Sequence, residues 1–165
     1  MPAPISRDKG LLYPPFAAIL RQFEDRLAAA LLPFHVFEAF RTFDRSDELY
    51  AQGRTTPGRI VTNARGGDSW HNYGLAADYV LDGTIEQPGI QWSWNLRADL
   101  NADGRNDWQQ MAEIARECGL EAAWFWLRFP EAPHVQRRYG LELGEAKELY
   151  RQGGIPRVWA SLSAA

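Results

Sequence analysis

The strongest constraint on the fold is the way the hydrophobic period changes along the chain. Residues 14 to 32, PPFAAILRQFEDRLAAALL, set Phe16, Ile19, Leu20, Phe23, Leu27 and Leu31 on one helix face. The two leading prolines suit the first turn of that helix. The next stretch, FHVFEAFRTF, switches to period two: His35, Phe37, Ala39 and Arg41 share one face of a strand, and Phe34, Val36, Glu38 and Phe40 the other. SDELYAQG predicts a short helix with Ser46 as its N-cap and Gly53 as its stop. GLAADYVL and QWSWNL read as strands, residues 107–118 as an amphipathic helix ending at Gly119, AWFWLRF as an aromatic strand, and LGEAKELYRQGG as a closing helix with a glycine stop. No regular βαβ rhythm links these elements. The expected fold class is therefore α+β, a single domain over residues 1–165 with a central antiparallel sheet flanked by helices.

Charge and cysteine usage then narrow the function. A net charge of −3 over 165 residues lacks the basic excess of a nucleic-acid reader or of a protein drawn to anionic membranes. The single cysteine, Cys118, excludes an internal disulfide and a four-cysteine zinc site; its place in IARECGL predicts a small buried residue near a helix end. The N-terminal stretch MPAPISRDKGLLYPPF has no apolar run of signal-peptide length, and no run of about 18 apolar residues occurs anywhere. The expectation is a monomer made in the cytoplasm, with no membrane segment and no separate wall-binding domain, which acts elsewhere only after release or export. Aromatic residues make up 13% of the chain, enough to supply both a core and a groove for a polymer. Trp92, Trp94, Trp124, Phe125 and Trp126 are expected mainly in the core, with a minority free to stack on sugar rings. The glycine-rich stretch GRTTPGRIVTNARGGDSW reads as a loop and lacks the Gly-Lys-Ser/Thr ending of a phosphate-binding loop.

Chemistry concentrates in two short segments. SWHNYGLAAD, residues 69–78, sets His71 and Asp78 seven positions apart around Gly74, and FPEAPHVQ carries His134 three residues after Glu131. Two imidazoles and one carboxylate form a recurring ligand set for a catalytic zinc that keeps a position open for water. A carboxylate beside such a ligand but not itself bound is where a general base belongs, since zinc lowers the pKa of its water to about 7. By spacing alone, ordinary alternatives stay open: surface or hydrogen-bonded histidines, Asp78 at a strand end, and Glu131 in a solvated turn between Pro130 and Pro133.

SWHNYGLAAD fits the Ser-x-His-x-x-Gly-x-Ala-x-Asp pattern, and EAPHVQ the acidic-x-Pro-His-x-Gln element, of VanY-like D-alanyl-D-alanine carboxypeptidases and the related L-alanyl-D-glutamate endopeptidases of bacteria and phages. FRTFDRSDELYAQGRTTPGRIVTNARGGDSWHNYGLAAD and WQQMAEIARECGLEAAWFWLRFPEAPH extend the resemblance over roughly residues 12 to 137. The resemblance implies the fold shared with the hedgehog signalling domains, zinc on His71, Asp78 and His134, and Glu131 as the catalytic base. It also implies that Arg41 holds a substrate carboxylate or steadies the tetrahedral intermediate, with Ser69 and Trp126 in support. Three features depart from the family pattern: Glu131 stands where the endopeptidase branch commonly has aspartate, the family glutamine is replaced near Ser46, and AWFW replaces Gly-Gly-Asp-Trp. The implied activity is a zinc-dependent peptidoglycan hydrolase acting on the stem peptide, an L-alanyl-D-glutamate endopeptidase of phage endolysin type working in the periplasm. The alternatives are a D-alanyl-D-alanine carboxypeptidase, or a non-catalytic zinc module against which Glu131 argues.

A second motif stands apart. DLNADGRND follows the opening of a calcium loop, with Asp99, Asn101, Asp103, the Arg105 carbonyl and Asp107 as oxygen donors and Gly104 at the turn. Gln110 replaces the usual bidentate glutamate of the loop's last position. Without a cation, the same residues would make an Asp-Gly turn with Asp107 capping the following helix.

Overall fold

The computed structural model describes residues 3–162, which divide into two compact units. The first comprises Pro14–Glu38 and Ala77–Arg137. It contains α1 (Pro14–Ala29), β1 (Phe34–Glu38) and most of β2 (Ala76–Asp82), followed by α3 (Gly83–Glu86), β3 (Trp92–Ser93), α4 (Asp107–Glu117), β4 (Glu121–Ala122) and β5 (His134–Gln136). The second comprises Ala39–Ala76 with the chain up to Tyr13 and from Arg138 on, and contains α2 (Phe43–Ala51) and α5 (Leu143–Leu162). Among the described residues no helix is long and apolar enough to cross a membrane.

The sheet runs β1-β2-β5-β4, with β3 pairing the far end of β2; the pairs β1–β2, β2–β3 and β4–β5 are antiparallel. Period-two alternation sorts its side chains. Phe34 lies opposite Leu81 and Val36 opposite Tyr79, so these four share one face. The helices cover that face: Phe23 of α1 meets Tyr79 edge-on at 5.2 Å, and Trp108 of α4 meets Phe34 at 5.0 Å. Phe16, Leu20, Phe23, Leu27, Trp108 and Met111 are buried beneath it. Asp78, one residue before Tyr79, is left to the other face. In β5 the same period puts His134 and Gln136 on one side and Val135 on the other.

Several expected elements shift, each for a local reason. Helix α1 stops at Ala29, because Leu31 adopts left-handed backbone (φ 57°) and is 74% exposed instead of joining the buried stripe. Strand β1 stops at Glu38 after an irregularity in register between Val36 and Glu38, so Ala39 and Arg41 lie beyond it. Helix α2 begins a turn earlier than SDELYAQG suggests: Thr42, not Ser46, is the N-cap, its hydroxyl accepting the Arg45 N–H at 3.2 Å. AWFWLRF is not a strand. Ala123–Phe125 form a 3-10 turn, and the Ala123 carbonyl accepts the N–H groups of both Trp126 and Glu131, so tertiary closure overrides β propensity. The aromatic set expected in the core is not buried: Trp94 is 47% and Phe125 37% exposed, with Trp92, Trp124 and Trp126 partly covered, because β3 and this turn are too short to be enclosed. Helix α5 is interrupted by non-helical backbone at Gly153 and Gly154 and resumes beyond them.

Candidate active site

His71 sits in a 3-10 turn, Trp70–Tyr73, capped at one end by Ser69 and at the other by Gly74. The Ser69 hydroxyl accepts the His71 N–H at 3.4 Å. Gly74 has φ +71°, and a Cβ there would lie 3.1 Å from the Trp159 ring and 3.2 Å from both the Leu11 carbonyl oxygen and the Tyr13 nitrogen. The turn therefore needs glycine for its backbone and for its space. Replacing Gly74 by alanine is expected to destabilise the protein by about 1–3 kcal/mol, read as a lower melting temperature with no new aggregation. An unchanged melting temperature would show that the turn relaxes freely. Beyond it, the chain enters β2 and delivers Asp78.

The imidazoles are held by fixed partners. His71 is 1% exposed, and its Nδ1 lies 2.7 Å from the Ala39 carbonyl, which can only accept. Nδ1 therefore carries the proton and Nε2 keeps the lone pair. His134 Nε2 lies 2.9 Å from Gln136 Oε1, while Gln136 Nε2 donates to Glu121 Oε2 at 3.0 Å. That second bond aims the amide oxygen at the ring, so His134 donates from Nε2 and offers Nδ1. Nδ1 stands 3.1 Å from Asp78 Oδ1 and 4.0 Å from Glu131 Oε2. Burial lowers the tendency of His134 to protonate. Asp78, followed by Glu131 and Gln136, outweighs it, and the net pKa lies above the ordinary histidine value.

Ligand atoms of His71, Asp78 and His134 all lie within 4.8 Å of one another, close enough to share one ion. A lone-pair nitrogen and a carboxylate oxygen at 3.1 Å call for a cation between them, and a metal answers that need as well as a proton. Two imidazoles with fixed tautomers and one carboxylate are a donor set that fits zinc.

The other expected residues fall around this group or away from it. Arg41 is 9% exposed, and its backbone N–H donates to the His71 carbonyl at 3.2 Å. Trp126 tilts against His134 with ring centroids 5.5 Å apart. The third histidine, His35, which was no site candidate, is exposed and lies 3.4 Å from Asp82. Cys118 is half-buried at the end of α4.

Residue type alone did not single out Gln136, Glu121 or Asn72. Asn72 is fully buried: it donates to the Arg41 and Thr42 carbonyls and to the Ser46 hydroxyl, and accepts the Gly67 N–H. It thereby ties the backbone at Arg41 to the turn that carries His71. The glutamine closes the acidic-x-Pro-His-x-Gln element, and its period-two step from His134 was the signal that it could face the same way; nothing local distinguishes Asn72.

The Asp99–Asp107 loop is built separately. Asp99 accepts the N–H groups of Asp103 and Gly104, each at 3.0 Å, and Asn106, not Asp107, caps α4 by accepting the Gln109 N–H. Burial pushes the Asp107 carboxyl up, and the charges of Asp99, Asp103 and Glu86 push it the same way against the Leu100 N–H.

Comparison with known proteins gives the chain's relatives. The profile of the VanY family, described as D-alanyl-D-alanine carboxypeptidase, matches residues 11–142. The peptidoglycan L-alanyl-D-glutamate endopeptidase CwlK of Bacillus subtilis (strain 168) is 43% identical over 125 residues, covering 72% of this chain and 71% of CwlK. The crystal structure of the Serratia marcescens L-Ala D-Glu endopeptidase ChiX aligns with a TM-score of 0.46 at 26% identity, over 78% of this chain and 81% of that one. The matched stretch runs from before α1 to beyond β5 and takes in His71, Asp78, Glu131 and His134, and on that match this chain belongs to the VanY family of peptidases.

Proposed function

We propose that this peptidase is a zinc-dependent hydrolase of the peptidoglycan stem peptide that cuts the L-alanyl-D-glutamate bond. The observation that carries the reading is the convergence of His71, Asp78 and His134 within 4.8 Å, beside Glu131, in a chain 43% identical to an endopeptidase of that bond. Zinc, when bound, supplies a Lewis acid that polarises the scissile carbonyl and acidifies water. His71 Nε2, His134 Nδ1 and an Asp78 oxygen would hold it. Glu131 takes the proton of the attacking water and returns it to the leaving amine. Its carboxylate is only partly covered, open to substrate yet 4.0 Å from His134. Arg41 meets an anionic group of the substrate, a task suited to a guanidinium that stays charged when buried.

The Gln136–Glu121 pair bears on this reading. With leucine at position 136, His134 loses the acceptor that keeps Nδ1 free, and zinc affinity should fall about 10–100-fold in competition with a chelator. Unchanged affinity would mean that packing alone orients the ring.

The deciding experiment incubates the protein with purified Gram-negative peptidoglycan and identifies the released ends by mass spectrometry. New D-glutamate amino termini are expected. Release of D-alanine alone would move the assignment to the carboxypeptidase by which the family is described. No cleavage by zinc-loaded protein would leave a binding module. The proposal includes a role as a phage endolysin acting from the periplasm, tested by clearing of outer-membrane-permeabilised cells on addition of protein.

A further inference from the structure

The loop entering α4 places oxygen at alternate positions, from Asp99 and Asn101 through Asp103 and the Arg105 carbonyl to Asp107, with Gly104 turning the chain at φ +82°. Much of this is what a tight acidic turn makes for itself. Asp99 receives two backbone N–H groups; Asp103 Oδ1 receives the Arg105 N–H at 2.8 Å and Gln110 Nε2 at 3.1 Å. Asp107 is what a turn does not require. It is 0% exposed, and Asn106 already caps the helix. Its Oδ2 accepts the Leu100 N–H at 2.8 Å, which turns the carboxylate back into the loop, and its Oδ1 is buried with no hydrogen-bond partner. A buried carboxylate oxygen without a donor is among the costliest groups a folded chain can keep, and a cation is the partner that relieves it. Lysine or arginine does not fill that role here: Arg105 pairs with Glu113 instead.

We propose that this loop is a calcium site, bound through the side chains of Asp99, Asn101, Asp103 and Asp107 and the Arg105 carbonyl. Alternate oxygens on a loop with a glycine turn suit the larger, less strictly octahedral calcium ion better than magnesium. Three carboxylates, with Gln110 in place of a bidentate glutamate, put the affinity at the weak end of such sites, about 10⁻⁴–10⁻³ M. The site is separate from the His71–Asp78–His134 group and does not depend on the peptidase reading.

The test titrates calcium chloride into the zinc-containing protein by calorimetry and thermal melting, with magnesium chloride as control. One calcium-selective site and a rise in melting temperature are expected. Both should be lost in Asp107→Asn and in Asp103→Ala. Without calcium, Asp107→Asn should melt no lower than the native chain, since the amide keeps an acceptor for Leu100 while removing a buried charge. If that variant fails to fold, the exposed Asp103 carries the test. Absence of calcium binding at millimolar concentration overturns the proposal, as does equal binding by both variants, which would place the ion elsewhere.

Discussion

Glu131→Gln is expected to lower kcat by about 10²–10⁴-fold on stem-peptide substrates while leaving the protein folded and able to bind zinc. The substitution is nearly isosteric, and the backbone bonds that position residue 131, from its N–H to Ala123 and from the His134 N–H to its carbonyl, survive it. What goes is the group that accepts a proton. The carboxylate sits 4.0 Å from His134 Nδ1, farther than Asp78 at 3.1 Å. Steady-state kinetics with zinc stoichiometry measured on the same sample separates the two roles. Loss of activity with full zinc supports the base; loss of both would make Glu131 a ligand; retention of activity would send the search for a base elsewhere. Glu131→Asp withdraws the carboxylate by one methylene and should give an intermediate rate.

Removing the metal should have the other large effect. Saturating zinc at about 1,000 times its Kd stabilises the folded state by about 4 kcal/mol. For a chain of this size that corresponds to roughly 8–16 °C in melting temperature, reversed by a chelator along with all activity. Asp78→Ala should abolish both responses. A distal partner of a ligand costs about 10–100-fold in affinity, so loss of a direct ligand should cost more. The variant also removes the carboxylate that raises the His134 pKa, so His134 in the metal-free protein should titrate lower than in the native chain, which NMR can follow. A zinc-induced rise in melting temperature that persists in Asp78→Ala would show that the ion binds elsewhere.

Much of this protein was legible in one dimension because its signals are local. The apolar spacing from Phe16 to Leu27 fixes a helix face whatever packs on it, and GLAADYVL is strand-forming by composition. The glycine at position 74 was conspicuous in sequence, and its left-handed backbone and crowded surroundings explain it. His71, Asp78, Glu131 and His134 stood out by type, since few side chains can hold a metal or move a proton, and the fold gathers the first, second and fourth within 4.8 Å with Glu131 4.0 Å from His134.

Tertiary structure decided what depends on residues distant in the chain. AWFWLRF has every mark of a strand, yet the Ala123 carbonyl closes a turn on Trp126 and Glu131, and no propensity encodes that bond. Ser46 looked like a cap, but α2 starts at Phe43 and its hydroxyl instead serves the buried Asn72. The tautomers of both histidines rest on partners invisible to spacing: a backbone carbonyl at Ala39, 32 positions before His71, and an amide at Gln136 aimed by Glu121. Sequence determined which atoms were available for chemistry. Only the fold determined which of their lone pairs were left to use, because burial makes every donor and acceptor answer to a specific neighbour.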